Sequence, residues 1–276
     1  MPEGHTIHRL ARDHGEAIAN QGITVSSPQG RFDSALVAGR KIVAVEAWGK
    51  HLFYRFGGRP TRFVHVHLGL FGKFYRHVTE TTPRATTRMR LRTEKTTLDL
   101  VGPTACEVLS RAQVDVLCAR LGVDPLRDDA DLDAAAEALH RRKTPIGALL
   151  LDQSVVSGIG NVYRAEILFL HRLHPSALGS QIPVASLRAL LETTRQLLRR
   201  GVENNRIITV SGATLKTPRE KMLYVYKRKA CKQCGEKVVS TTSGGRALYF
   251  CPGCQPQPLA KPVATLRATR ASGTRR

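Results

Sequence analysis

The strongest constraint on how this chain folds is a pair of C-x2-C motifs near its end, Cys231 with Cys234 and Cys251 with Cys254. Each motif can direct two thiolates at one ion, and the C-x2-C-x16-C-x2-C spacing leaves room for a β-hairpin between the motifs. Four thiolates suit tetrahedral Zn²⁺ and leave no coordination position open. The spacing therefore predicts one structural zinc ion with all four cysteines as ligands.

The segment between the two motifs, GEKVVSTTSGGRALYF, predicts how this module is built. Gly244 and Gly245 are flanked by β-forming residues, which favours a hairpin with Arg246 near its tip. An arginine on a rigid tip is well placed for phosphate, because the guanidinium fork binds two oxygens. The sequence leaves open the alternative that Arg246 is an ordinary solvated loop charge.

Charge is the second constraint, since 43 Lys and Arg against 22 Asp and Glu give a formal net charge of +21. Such a field attracts polyanions, so nucleic acid is the expected partner, with a merely basic or ribosomal-type protein as the alternative. No apolar run is long enough for a membrane span, and MPEGHTIHRL lacks the apolar core of a signal peptide. We therefore expect a cytoplasmic protein, in which paired cysteines favour metal over disulfides and Cys106 and Cys118 are buried thiols.

The first part of the chain is predicted to be one helix followed by strands. Apolar residues recur at helical spacing over 5–19. From about 22 to 102 short apolar runs are separated by Gly, Pro or Thr, which is typical of a β-sandwich or barrel. These runs are KIVAVEA, KHLFYRF, RFVHVHL, GKFYRHV, RMRLR and TTLDLVG. The Gly, Pro and Asp residues of 121–131 predict a linker between domains.

Residues 132–203 are predicted to be helical. Asp131 or Asp133 can cap the first helix, and Pro145 suits the first turn of the second. Ser186 can cap a long amphipathic helix, whose leucines recur on one face.

A glycine-rich turn, SGIGN, comes directly before the helical pattern VYRAEILF. Backbone N–H groups at such a turn point outward and can bind phosphate. The side chain of Asn161 can also cap the helix, and both interpretations can hold together. The turn lacks G-x-G-x-x-G and follows no predicted strand, so a dinucleotide-binding fold is not expected.

The N-terminus carries a candidate nucleophile. Pro2 is small enough for Met1 to be removed, which leaves a secondary amine that titrates near about 8, far below a lysine side chain. Attack of a secondary amine on a sugar C1′ gives an iminium, which cannot become a neutral imine and therefore favours elimination. Glu3 is placed to act as general acid and base. Lys50, in WGKHLF, can add a positive charge, or can be an ordinary surface lysine in a β-turn.

Several motifs between residues 2 and 255 together resemble the formamidopyrimidine-DNA glycosylase/endonuclease VIII family. They are PEG, WGKHLF, VHVHLGLFG, DLVGPTACE, DPLR, PIGALLLDQSVVSGIGNVYRAEILF and GGRALYFCPGCQ. The resemblance implies a two-domain α+β fold, with an N-terminal β-sandwich that carries an N-terminal helix. The C-terminal domain would hold a helix–two-turn–helix motif and a four-cysteine zinc finger. The expected parts are a catalytic domain (2–122), a helix–two-turn–helix domain (130–220), the zinc finger (221–255) and a disordered basic tail (256–276).

The resemblance also implies catalytic roles. Pro2 matches the nucleophile of the family and Glu3 its proton donor. Lys50 matches a lysine that contacts phosphate and assists elimination. Arg246 matches the zinc-finger arginine that grips the phosphates beside the lesion.

A second set of residues is expected to bind DNA. Asn161, with Gly160 beside it, matches the asparagine that contacts the DNA backbone. Leu70 and Phe71 occupy the void-filling position of the family, and we predict that they wedge into the base stack when the damaged base is flipped out. The alternative is that both residues belong to the core of the sandwich.

The implied activity is that of a bifunctional DNA glycosylase/AP lyase of base excision repair. It would excise oxidised bases through a Schiff base of the N-terminal proline and cleave the strand by β,δ-elimination. The start PEGHTI is similar to endonuclease VIII and its actinobacterial relatives, which favours oxidised pyrimidines, whereas HLGLFG resembles the other branch. The expected partner is damaged double-stranded DNA, bound by a monomer in the bacterial cytoplasm and nucleoid, with no membrane and no small-molecule cofactor. The alternatives are an AP or gap lyase with little base excision and a non-catalytic DNA-binding zinc protein.

Overall fold

The computed structural model describes residues 2–78 and 81–257, so the tail expected at 256–276 lies almost wholly outside the described residues. The α-helices are α1 (Gly4–Ile18), α2 (Arg111–Cys118), α3 (Leu132–His140), α4 (Ile146–Leu149), α5 (Asn161–Leu170) and α6 (Val184–Asn204). The strands are β1 (Thr24–Ser26), β2 (Ile42–Trp48), β3 (His51–Phe56), β4 (Arg62–His67), β5 (Lys73–His77), β6 (Thr87–Arg92), β7 (Thr97–Val101), β8 (Ala105–Ser110), β9 (Val239–Ser243) and β10 (Arg246–Phe250).

Helix α1 confirms the helix predicted at the N-terminus. Ile7, Ala11, His14 and Ile18 recur every three or four residues and are buried on one face. This face packs against β2 and β3, while the start and the polar side of α1 contact α6. The first residues of the chain are therefore held between the two halves of the molecule.

Two four-stranded antiparallel sheets, ordered β1-β6-β7-β5 and β2-β3-β4-β8, form the predicted β-sandwich. Alternate side chains such as Leu52 and Tyr54 of β3 pack with Leu91 of β6 and Leu98 of β7 in an apolar core. The sequence did not predict α2, whose N-cap is Ser110 in a capping box with Gln113.

Helices α3 to α6 surround a second core, and two of the predicted caps are wrong. Asp131 caps α3 as expected, since its Oδ1 accepts the N–H of Ala134 at 2.8 Å. Ser186 instead lies inside α6, which begins one turn earlier because Pro183 provides a fixed φ ahead of its first turn. Asn161 is the first residue of α5 and makes no capping bond.

The hairpin β9–β10 confirms the predicted turn. Gly244 and Gly245 have φ of 57° and 73°, which only glycine adopts without strain in a two-residue turn of this type. Arg246 is the first residue of β10 and lies at the tip. The predicted burial of Cys106 is confirmed, whereas Cys118 is only half-buried.

Direct hydrogen bonds join the two halves of the molecule. Gly4 N donates to Gly158 O at 2.8 Å, next to the start of α5. The guanidinium of Arg9 donates to the carbonyls of Val202 and Glu203, both at 2.9 Å, at the end of α6. No helix in the described residues is long and apolar enough to cross a membrane.

Candidate active site

A cavity of about 240 Å³ lies where the N-terminus, the β2–β3 turn, the β4–β5 loop and the hairpin tip meet. We call it the Pro2 cavity. Its lining includes Pro2, Lys50, Leu70, Gln153 and Arg246. The fold therefore brings together four of the residues singled out in the sequence, although they are separated by up to 244 positions.

Glu3, the residue after the cavity-lining Pro2, is fully buried. Its carboxylate accepts the backbone N–H groups of Gly160 at 2.9 Å, Val162 at 2.9 Å and Tyr163 at 3.4 Å. A side-chain carbon at Gly160 would lie 2.3 Å from the Glu3 carboxyl carbon, so only glycine allows this approach. The sequence predicted that the N–H groups at the start of α5 can bind phosphate. In the structure the carboxylate of Glu3 binds them instead.

The pKa of Glu3 is raised by burial, and the charge of Lys50 and the three N–H donors offset only part of this effect. At neutral pH a larger fraction of Glu3 is therefore protonated than for an exposed glutamate. A buried carboxyl group with a raised pKa is chemically suited to donate a proton to a leaving group.

Lys50 lies in the turn between β2 and β3 and is not the surface lysine that the sequence left as an alternative. Its Nζ donates to the carbonyl of Ile159 at 2.6 Å. Burial lowers the pKa of Lys50 to about 8, while Glu3 raises it and Arg246 lowers it. The preceding residue is held by Asp124, whose carboxylate accepts Gly49 N at 2.7 Å.

Arg246 is exposed at the hairpin tip, and the residue after it connects the hairpin to α5. Ala247 O accepts Asn161 Nδ2 and Arg164 Nη2, each at 2.8 Å. Arg164 is fully buried, and burial lowers its pKa to about 10, so that it stays charged at neutral pH. The sequence analysis missed Arg164, although a cation inside the apolar pattern of α5 was an available signal.

Leu70 and Phe71, in the loop between β4 and β5, are 63% and 85% exposed. The alternative that they belong to the sandwich core is therefore wrong. Leu70 lines the Pro2 cavity, and Phe71 is the next residue of the same loop. Two exposed apolar side chains at a cavity with two cations form a surface suited to a ligand with both apolar and anionic parts.

The four cysteines of the two C-x2-C motifs lie together at the opposite end of the hairpin from Arg246. Their sulfur atoms all lie within 4.8 Å of one another. Cys231 Sγ and Cys254 Sγ are 3.9 Å apart, and Cys234 Sγ and Cys251 Sγ are 3.5 Å apart. Tetrahedral Zn²⁺ with bonds of about 2.3 Å requires sulfur separations of about 3.8 Å. The donor set and its size therefore fit a metal ion of this kind.

Two family models match the chain. The formamidopyrimidine-DNA glycosylase N-terminal domain matches residues 1–105, and the formamidopyrimidine-DNA glycosylase H2TH domain matches residues 121–212. Endonuclease 8 1 of Mycobacterium tuberculosis is 42% identical over 269 residues, which cover 92% of this chain and all of that protein. The chain belongs to the formamidopyrimidine-DNA glycosylase/endonuclease 8 family. It is a DNA glycosylase/AP lyase of base excision repair.

Further comparisons agree with this family. The formamidopyrimidine-DNA glycosylase of Corynebacterium aurimucosum is 32% identical over 233 residues, which cover 80% of this chain and 82% of that protein. The Lactococcus lactis Fpg protein, in complex with DNA that contains N7-benzyl-Fapy-dG, superposes with a TM-score of 0.77 at 23% identity. That alignment covers 93% of this chain and all of that chain, and shows the same fold.

Within this glycosylase fold, sequence reasoning missed two further residues that hold the site. Asp124 also accepts Leu126 N and lies 2.7 Å from His8 Nε2, so it joins α1, the Lys50 turn and the inter-domain segment. Gln153 lines the Pro2 cavity and accepts Gly158 N at 3.0 Å. Both belong to motifs that were recognised in the sequence, but only their tertiary contacts reveal these roles.

Proposed function

We propose that this glycosylase excises oxidised pyrimidines from double-stranded DNA through the amine of Pro2, which is freed when Met1 is removed. One observation carries the proposal. Pro2, Lys50 and Arg246, from three distant segments, line a single cavity, and the buried Glu3 follows Pro2 and interacts with the charge of Lys50. This combination provides an amine, two cations for phosphates and a carboxyl group with a raised pKa.

Base excision would use Pro2 and Glu3 together. The Pro2 nitrogen forms a bond to C1′ of a flipped-out nucleotide, the bond from C1′ to the base breaks, and its electron pair leaves with the base. Glu3 supplies the proton that neutralises the departing base. The carboxylate that remains is stabilised by the N–H groups of Gly160, Val162 and Tyr163.

After displacement of the base, the Pro2 nitrogen loses its proton, the C1′–O4′ bond breaks, and O4′ leaves with the electron pair and takes up a proton. The sugar ring is then open, C1′ carries an iminium, and strand cleavage would follow from it. Loss of a C2′ proton sends electrons toward the iminium and expels the 3′ phosphate, and a second elimination expels the 5′ phosphate. The product is a one-nucleotide gap with phosphate at both ends. Lys50 and Arg246 would bind the phosphates and stabilise their negative charge, and Asn161 would contact the backbone beside Gly160.

Leu70 and Phe71 would fill the space that the extruded nucleotide leaves. Their exposure and their place beside the cavity support this role. Aliphatic and phenyl side chains offer no polar groups to the opposite base, so we expect little discrimination among opposite bases.

The remaining features complete the proposal. The start PEGHTI and the identity to endonuclease 8 relatives support a preference for oxidised pyrimidines. The four cysteines would hold Zn²⁺ with no open position, and the ion would stabilise the hairpin that carries Arg246. We propose a monomer with a catalytic domain at 2–122, a helix–two-turn–helix domain at 130–220 and a zinc finger at 221–255.

Borohydride trapping with abasic DNA tests the nucleophile. Protein that begins at Pro2 should form a covalent adduct, located to Pro2 by mass spectrometry of the digested complex. The matched control is the same chain with one extra residue before Pro2, which should form no adduct. Equal trapping by both proteins would contradict the proposed nucleophile.

A panel of lesion duplexes tests the substrate. Thymine glycol and dihydrouracil should be cut faster than a formamidopyrimidine lesion, to products with phosphate at both ends. Cleavage of abasic DNA alone would identify an AP lyase with little base excision. Binding without either cleavage or trapping would identify a non-catalytic DNA-binding protein.

A further inference from the structure

Two cations, Lys73 and Arg84, lie on the ring of Tyr75 in β5. Lys73 Nζ is 4.8 Å and Arg84 Cζ is 4.3 Å from the centre of this ring. Both cations are exposed, whereas Tyr75 is half-buried. The negative face of an aromatic ring attracts cations, so Tyr75 favours positions of both side chains over the sheet. We call these three residues the Tyr75 cluster.

The carboxylate opposite Tyr75 in the sheet, that of Asp99, is already neutralised. Asp99 is buried and accepts Arg90 Nε and Nη2, each at 2.7 Å. Within residues 2–78 and 81–257, neither Lys73 nor Arg84 has a carboxylate partner. The Tyr75 cluster therefore holds two positive charges close together, and binding of an anion would reduce the repulsion between them.

The Tyr75 cluster directly follows the loop that carries Leu70 and Phe71. Lys73 is the first residue of β5 and comes two residues after Phe71, so their Cα atoms are at most about 7.6 Å apart. Lys73 lies opposite Val101, at the end of β7 that leads to Thr104, and Thr104 lines the Pro2 cavity. The Tyr75 cluster therefore begins at the cavity end of its sheet.

Double-stranded DNA is the ligand that this position favours. A duplex that Leu70 and Phe71 enter carries phosphates on both sides of the entry point, and it rises about 3.4 Å for each base pair. The separation between Phe71 and Lys73 thus corresponds to about two base pairs. Lysine and arginine side chains are common donors to DNA phosphates, and such contacts fix a protein on the duplex without reading its sequence.

We propose that the Tyr75 cluster binds backbone phosphates of the DNA within about four nucleotides of the flipped-out base. This inference rests on the proposed function, because it assumes that Leu70 and Phe71 enter the base stack at the lesion. Lys73 and Arg84 contact the phosphates, and Tyr75 is a positioning residue that holds both cations over the sheet. The cluster strengthens binding and takes no part in the reaction at C1′.

Removal of each cation tests this surface, with affinity for a tetrahydrofuran abasic-site duplex as the measurement. Lys73→Met and Arg84→Met should each weaken binding roughly threefold to tenfold and reduce its dependence on salt. Lys95→Met is the matched control, since it removes one exposed positive charge from the turn between β6 and β7, at the other end of the same sheet. This control should change affinity less than about twofold. Equal losses from all three variants would indicate a general effect of net charge and overturn the proposal.

A neutral methylphosphonate, placed in turn at single phosphates of either strand, locates the contact. At one position within about four nucleotides of the lesion it should weaken binding by the wild-type protein, and Lys73→Met should then cause no further loss. Arg84→Met should behave in the same way at that position or at an adjacent one. Losses from both variants that are the same at every position would overturn the phosphate contact.

The same duplexes separate this inference from the proposed function. If the wild-type protein binds the abasic-site duplex no more tightly than an undamaged duplex and forms no borohydride adduct, the proposed function fails. If it prefers the abasic-site duplex and forms the adduct, but no phosphate couples to Lys73 or Arg84, only the role of the Tyr75 cluster is overturned. Melting temperatures show that the variants compared are folded. If a methionine variant does not fold, Lys73→Gln or Arg84→Gln replaces it, with the same expected factors.

Discussion

Glu3 and Glu166 are both fully buried carboxylates that contact α5, yet their surroundings differ. Glu3 comes from the other half of the molecule, accepts the N–H groups at the helix start and interacts with the charge of Lys50. Glu166 belongs to α5 and accepts N–H groups of Tyr224, Val225 and Tyr226. Burial raises the pKa of both.

The comparison shows that burial and a raised pKa do not by themselves indicate that a carboxylate takes part in catalysis. The residue before Glu3 lines the Pro2 cavity together with a lysine, whereas Glu166 joins α5 to the segment that precedes Cys231, the first of the four clustered cysteines. We expect Glu3 to act on substrate and Glu166 to act on stability.

The largest expected effect separates the two residues by activity. Glu3→Gln removes the proposed proton donor and should slow base excision by roughly 10²–10⁴-fold. Single-turnover cleavage of a thymine glycol duplex measures this rate. Glu166→Gln is the matched substitution at the second carboxylate and should leave the rate of the folded protein within a few fold. Equal losses from both variants would remove the functional distinction.

The second prediction separates them by stability. Glu166→Ala leaves the N–H groups of Tyr224, Val225 and Tyr226 without their acceptor, and should lower the free energy of unfolding by about 3 kcal/mol or more. Urea unfolding and zinc release measure the effect. Thr209→Val removes only the hydroxyl that donates to Glu166, so about 1 kcal/mol is expected. A larger loss from Thr209→Val than from Glu166→Ala would contradict this account.

The smallest expected effect is a change in how DNA affinity depends on pH. It follows from Lys50, whose charge interacts with Glu3. With a pKa of about 8, Lys50 is charged below that pH and neutral above it. Affinity for abasic-site DNA should therefore fall by a few fold as the pH rises through about 8. Lys50→Arg keeps the charge at all these pH values and should abolish this decline, which titrations between pH 6.5 and 9.5 can measure. An unchanged decline in Lys50→Arg would assign it to another group.

Much of the fold could be predicted from local sequence patterns. The short apolar runs predicted the strands of the sandwich, and the helical spacing predicted α1. The pair of glycines predicted the hairpin with Arg246 at its tip. The predictions that failed are the burial of Cys118 and the caps at Ser186 and Asn161. Proline ahead of α6 and tertiary hydrogen bonds of Asn161 overrode the local preference of these side chains.

Residues of the candidate site were harder to predict from the sequence where their contacts join distant segments of the chain. Pro2 and Glu3 were identified from amine and carboxyl chemistry and from the family resemblance. Gln153 and Arg164 were missed, because each matters through a bond to a backbone carbonyl rather than through a chemical motif of its own.

By itself the sequence determined the family, the two kinds of secondary structure and the four cysteines that cluster as a metal site, because spacing and motif order are local properties of the chain. Only the tertiary structure decided that Glu3, rather than a phosphate, occupies the start of α5, and that Lys50 is half-buried with a lowered pKa. Both results depend on which distant residues share one small, poorly solvated space. No pattern along the chain specifies that neighbourhood, since burial and electrostatic interactions depend on distances in three dimensions.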